Sequence, residues 1–398
     1  MKIKNLFSFF FVLYCLLFFL LTSFFYLYSI NLGSDGLSVP LFNGGDEKFY
    51  YEQALNIASN RPAVLTSIHA VILGWILKLF HTHEVFILRL FNFIGNISIL
   101  IVGLKILFQV QMERRNLTSG IIFILLISYY PSYVENSSGS ILRDCWIIFY
   151  YLLSIQILLM IIKTRKLNLK VIYSIILLLS LSLLFGYRDY ALLSFLSSAV
   201  IYFLFIQRQQ SLNRSKKIYF YIFFGFTLMY TFLKSYMFPI VNLSLQDILT
   251  YRVDNMELFA GRTQMNISLD QSNVFLFYVN YFNSIVSNAF GPFPWQFKSM
   301  GTVILFFAES LLFSFIALKI IKLRRRLNNF DFFLIINSLV WFMLIGIFND
   351  NIGAAARLRM IGWFPLLIVF AKVYGEQLIH KKQLNDICNI ENIGAENK

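Results

Sequence analysis

Charge is what this chain has least of. Asp, Glu, Lys and Arg together make up 14% of the 398 residues, against about 25% in an ordinary soluble domain. With 58% of residues hydrophobic, that shortage argues against a soluble globular protein. Cysteine is nearly absent too. Cys15, Cys145 and Cys388 fall in separate segments, which excludes a disulfide framework and a thiolate metal cluster. His69, His81 and His83 are too loosely spaced, on different faces, to read as a metal site. No P-loop, serine nucleophile elbow or zinc motif is present. Internal repeats and low-complexity linkers are missing as well.

Long apolar runs fill the space that charge leaves. Residues 6–28 carry no charge at all, enough as a helix to cross a hydrocarbon core of about 30 Å. Several similar runs follow, so the chain reads as an all-α polytopic membrane protein. Its 45 Phe and 22 Tyr suit lipid contact and interfacial belts. The first run is too long for a signal-peptide core and lacks a small-residue exit site, so it is expected to be retained. The net charge of +14 does not imply nucleic acid. Its Lys and Arg gather in short loops between apolar runs, as the positive-inside rule requires of cytoplasmic segments.

Six basic clusters set the topology: Lys2/Lys4, Arg114/Arg115, Lys163–Lys170, Arg208–Lys217, Lys319–Arg326 and Lys381/Lys382. If all face the cytoplasm, an even number of spans separates each from the next. The later intervals supply pairs at 118–134 with 141–162, 171–187 with 190–206, 218–238 with 301–318, and 330–348 with 360–375. The first interval offers three runs, 6–28, 63–80 and 84–108. Parity therefore places one of them in the interface. The choice is 63–80, the shortest, which contains His69 and Lys78 and opens at Pro62. About ten transmembrane helices result, with both termini inside. Eleven spans, with 63–80 crossing, would break the charge rule locally. Residues 1–376 form a single transmembrane domain, with a first outer loop at 29–83 bearing interfacial helices and a long fourth outer loop at 239–300. Residues 377–398 read as a cytoplasmic tail.

The outward loops of this topology carry acids, and most also carry arginines. The first holds Asp46 and Glu47; the second, "YVENSSGSILRDCW", holds Glu135, Arg143 and Asp144; the third, "GYRDY", holds Arg188 and Asp189. The fourth holds Arg252, Asp254, Glu257, Arg262 and Asp270, and the fifth Asp350, Arg357 and Arg359. Arginine on the outer side runs against the charge bias and needs another reason. A mid-membrane charge costs roughly 2.5–3.5 kcal/mol on insertion scales. At the boundary the cost falls, and a planar guanidinium can grip a phosphate. Arg143, Arg188, Arg357 and Arg359 are therefore candidates for binding a lipid-linked phosphate. Asp46 is expected to cap an amphipathic helix over 47–59, behind a turn at Gly44 and Gly45. A carboxylate so fixed can serve as general base or metal ligand. Asp46 and Glu47 are the catalytic candidates. Tyr50, Asp144, Asp189 and Trp295 are the candidates for a substrate pocket. "SNAFGPFPWQF" (287–297) cannot be continuous helix; it reads as an interfacial turn or as a rigid wall for a sugar or prenyl chain.

The run "GGDEKFYYEQALNIA", then "RPAVLTSIHAVILGWILKLF", then "VFILRLFNFIGN" resembles the N-terminal third of GT-C membrane glycosyltransferases. These include the protein mannosyltransferases and the lipid A aminoarabinose transferase. Motifs at Pro131–Asp144, in "GYRDY", in "GPFPW" and at Asn351–Arg359 are similar to membrane proteins of bacterial surface-polysaccharide clusters. Each motif alone is weak. One departure stands out, since the family's lysine-proline-proline is here Arg61-Pro62-Ala63. The resemblance implies a sugar donor linked to polyprenyl phosphate or diphosphate, and a glycan or lipid-linked acceptor hydroxyl. It implies inversion at the anomeric carbon, with Asp46 as the acid beside Glu47. The implied setting is the outer face of the bacterial cytoplasmic (inner) membrane, in O-antigen, lipopolysaccharide or capsule assembly. No cofactor is certain, and a divalent metal stays open. Two rival readings are a repeat-unit polymerase and a flippase for lipid-linked oligosaccharide. The polymerase reading fits less well with an acid-led first loop, and the flippase reading with spans almost uncharged at their centres. A third is a non-catalytic assembly partner.

Overall fold

The computed structural model describes residues 3–37, 46–111, 116–206, 234–237, 244–258, 263–270 and 273–396. Among them every regular element is helical. Seven helices are long and apolar enough to cross a membrane. They are α1 (Ile3–Asn31), α4 (Val85–Val110), α7 (Asp144–Lys163), α8 (Leu167–Tyr187), α12 (Met300–Lys322), α13 (Asn329–Phe348) and the first part of α14 (Ile352–Glu396). The pair α5 (Leu117–Ser128) and α6 (Pro131–Ser138), bent by 71°, makes an eighth where the two are counted as one broken span rather than a re-entrant loop. Pro131 explains the bend, since it opens α6 and cannot continue α5.

Two of the ten expected spans account for the difference. The run at 190–206 forms α9 (Asp189–Ile201) and a π turn, apolar but short. Most of 218–238 lies outside the described residues. The run at 63–80 forms only α3 (Ile68–Leu79), 12 residues or about 18 Å, too short to cross. It packs along α2 (Asp46–Ala58). Gly74 permits this approach: a Cβ there would meet Ile57 at 2.6 Å and the Ala54 carbonyl at 3.0 Å. Small residues at such crossings let backbones come close.

Burial sorts the bundle. In their most apolar windows, α14 is 83% and α7 67% buried, against 17% for α1 and 11% for α8. The first two are central and the last two peripheral. The core gathers Trp341, Trp363, Phe364 and Tyr151 from α13, α14 and α7. Trp363 stacks on Phe313 at 4.1 Å and donates its indole N–H to the Ala289 carbonyl.

The two ends of the bundle differ in charge. At one end Lys163, closing α7, reaches the Gln109 carbonyl near the end of α4 and lies over Phe330 of α13. Asn328 binds the Val110 carbonyl there at 2.8 Å, and Lys322 and Arg324–Arg326 precede it. At the other end, α2, the start of α7, the end of α8 and the start of α14 converge. The segment read as a long outer loop is largely helical where described, with α10 (Leu245–Leu258) and α11 (Val274–Phe290). Arg252 fastens it. This buried guanidinium donates to the carbonyls of Ile267, Gly346, Ile347 and Asn349 and pairs with Asp350 at 2.7 Å. Asp350 also accepts the backbone N–H groups of Asn266 and Ile267. Arg252 and Asp350 are thus spent on structure. The run at 287–297 breaks as its prolines require: α11 ends at Phe290 and a 3-10 turn follows at Pro294–Gln296. The polar tail beyond 377 continues α14 as helix to Glu396.

Candidate functional site

The site begins with a short connector, residues 139–143, between α6 and α7. Three side chains from three helices hold it. Glu47 of α2 accepts the Ile141 N–H at 2.8 Å. His69 of α3 donates Nε2–H to the Ile141 carbonyl at 2.8 Å. Asn92 of α4 donates to the carbonyls of Ser140 and Leu142, both at 3.0 Å. The connector delivers Arg143 and Asp144 to the end of α7. Arg143 donates to the Tyr187 carbonyl at 2.9 Å, which closes α8, and lies over the Tyr50 ring.

Asp144 is the hub. It occupies the first turn of α7, where the helix dipole favours a carboxylate. One oxygen faces Arg188 Nη1 at 3.5 Å, the other Arg357 Nε at 3.3 Å. Arg357 then reaches Asp46 through Nη1, at 2.9 Å. Segments more than 300 residues apart, at Asp46 and Arg357, are joined in this way. A cavity of about 240 Å³ opens beside them, lined by Asp46, Phe49, Tyr50, Thr66, Leu142, Arg143, Asp144 and Arg357.

Five of the ten sequence candidates, Asp46, Tyr50, Arg143, Asp144 and Arg357, therefore share one cavity, and Arg188 backs it through Asp144. The other four lie elsewhere. Glu47 is buried and engaged with the connector. Asp189 is exposed and accepts the N–H of Tyr190 at 2.7 Å at the start of α9. Trp295 is 75% exposed and stacks on Phe293 at 4.8 Å. Arg359 is buried, paired with Glu309 and the Gly291 carbonyl. Glu309 was not singled out from sequence. It sits in a π turn in the middle of α12, and its second oxygen accepts the Ser132 N–H at 2.6 Å. The span centres are thus less free of charge than the sequence reading held. Phe49, Thr66 and Leu142 carry no charge to mark them, and no sequence signal set them apart.

Among the described residues no three His, Cys, Asp or Glu side chains group to hold a metal ion. Within the cavity the guanidinium of Arg357 stands between the carboxylates of Asp46 and Asp144, the place a divalent cation would need.

His69 is fully buried, and burial pushes its imidazole down to about 4 from an ordinary 6.5. It is neutral at pH 7, which rules out an imidazolium role. The unfolded chain takes up this proton below pH 6.5, whereas the folded chain resists until about 4. Stability tied to His69 is therefore complete above pH 6.5 and declines on acidification toward pH 4, by on the order of 3 kcal/mol. His69→Gln is expected to remove that part of the decline. Thermal unfolding in detergent at pH 7 and 4.5 checks it; parallel losses in wild type and variant contradict it.

No protein-family model matches the chain, and neither does any curated protein or solved structure.

Proposed function

We propose that this chain is a membrane glycosyltransferase that moves a sugar or glycan from a polyprenyl phosphate or diphosphate to an acceptor hydroxyl. One observation carries the reading: Asp46, Arg143, Asp144 and Arg357, from segments far apart in sequence, meet around one cavity at a bundle end. A carboxylate partly in water, at 59% exposure, beside converging guanidiniums suits this chemistry. Asp46 takes the proton of the acceptor hydroxyl. The hydroxyl oxygen bonds to the anomeric carbon from the face opposite the phosphate. The carbon–oxygen bond to the phosphate breaks, and its electron pair leaves on the phosphate oxygen, opposite the cationic forks of Arg143 and Arg357. The anomeric configuration inverts. Such a leaving group needs no second acid.

Orientation follows from the charge rule. Lys163, Lys322 and Arg324–Arg326 lie at the end away from the cavity, and the positive-inside bias puts that end in the cytoplasm. The cavity then opens on the outer face, in the bacterial surface-polysaccharide setting. Proteoliposomes loaded with polyprenyl-linked labelled sugar and a lipid-linked glycan acceptor test the reading. Label moving to the acceptor supports it. Label crossing the bilayer with no glycan product replaces it with a transporter. Intermediates accumulated in a gene-deleted strain separate the two transfer reactions: a truncated repeat unit marks a transferase, a complete single unit a polymerase.

A further inference from the structure

The charged groups joined through Asp144 and Arg357 differ in their access to water. The side chains of Asp144 and Arg188 are 3% and 5% exposed, those of Arg357 and Asp46 26% and 59%. Arg357 is therefore held unequally. Its Nε faces a buried carboxylate fixed at the start of α7. Its Nη1 holds a carboxylate standing in water. A wet ion pair contributes little and exchanges readily, while a buried one is screened much less.

The local charge count points the same way. Arg143, Arg188 and Arg357 face Asp46 and Asp144, one cation in excess. If Asp46 swings away, two are in excess, which matches a phosphate group. Arg188 stands behind the cavity: buried, it faces Asp144 through Nη1 at 3.5 Å without a hydrogen bond, and its Nε has no hydrogen-bond acceptor among the described residues.

We infer that a phosphate-bearing ligand binds this cavity by taking Arg357 from Asp46, so that anion binding itself frees the Asp46 carboxylate. The identity of the ligand as a polyprenyl phosphate rests on the transferase reading; the exchange does not. The exchange leaves the Asp46 carboxylate without its guanidinium partner, open to the acceptor hydroxyl, only once the leaving group's phosphate is seated. Donor binding and activation of the acceptor hydroxyl become one event.

Asp46 is on this account a built-in competitor of the ligand, and removing its charge strengthens binding. The test is equilibrium binding of a polyprenyl phosphate to the purified full-length protein in detergent, with the matching polyprenol as control. Asp46→Asn is expected to bind the phosphate lipid roughly two- to fivefold more tightly than wild type, with polyprenol binding unchanged. Arg357→Lys, which keeps charge but loses the fork, is expected to weaken it roughly five- to tenfold. Thermal unfolding of each variant in the same detergent reports its fold. Unchanged or weaker binding by folded Asp46→Asn overturns the exchange. Equal affinity of wild type for phosphate lipid and polyprenol overturns the anion site as a whole. Tighter binding by Asp46→Asn in a protein that transfers no sugar upholds the exchange and sinks the transferase reading alone.

Discussion

Asp144→Asn is expected to destabilise the fold by about 3–5 kcal/mol, the usual cost of removing one partner from a buried charge cluster. Asp144 is 3% exposed and stands between Arg188 and Arg357, next to Arg143. Without its charge, three guanidiniums face one another at the start of α7, with only the wet Asp46 to answer them. Arg188 suffers most. It is itself buried, and Asp144 is its sole ion-pair partner among the described residues. Its contact with the Tyr190 ring, at 5.2 Å, is a weaker substitute. A second change discriminates a charge effect from lost packing. Asp144→Asn with Arg188→Gln removes one charge of each sign and is expected to recover a large part of the loss, a coupling that a double-mutant cycle reads directly. Thermal unfolding and the yield of monodisperse protein in detergent check both. If Asp144→Asn stays within about 0.5 kcal/mol of wild type, the ordinary range for a surface change, the hub role assigned to Asp144 is wrong.

That charges gather at this end was legible because the chain has so few. In a sequence this apolar, a pair such as Arg143–Asp144 or Arg188–Asp189 stands out, and the parity of basic clusters assigned these pairs to one side. The even count also singled out 63–80, where the helix α3 is 12 residues long. Direction around a helix was not legible. Arg357 and Arg359 are two residues apart, hence about 200° apart on the helix. One points to the cavity, the other to Glu309 in the core, and an apolar chain gives no polar stripe to tell them apart. The same holds for neighbours that divide their labour. Asp46 faces the cavity, while Glu47 turns inward to the connector. The role of Glu47 depends on the Ile141 N–H, 94 residues away, which no local pattern announces. In "GYRDY", Asp189 bonds its own turn, and the partner of Arg188 comes from α7 instead.

This division between Asp46 and Glu47 gives the second large effect. Asp46→Asn is expected to lower the turnover of sugar transfer by about 10²–10⁴, the range for loss of a general base, with the fold intact. Asp46 is 59% exposed and its pair with Arg357 is wet, so its loss costs at most about 1 kcal/mol of stability. The fall belongs in kcat, because the proton is taken only in the transition state. KM for the donor is expected to stay level or decrease, since the competing carboxylate is gone. Glu47→Gln is expected to behave differently. The amide oxygen of Gln can still accept the Ile141 N–H, so the connector, and with it Arg143 and Asp144, keeps its place. Turnover should then fall less than tenfold, and any loss should appear with a lower thermal midpoint. Asp46→Glu, which restores the carboxylate one methylene further out, should recover part of the rate. The reverse pattern, full activity in Asp46→Asn and a large fall in kcat for a stable Glu47→Gln, would move the base to the buried neighbour. It would also leave the cavity without the acid that the proposed chemistry requires.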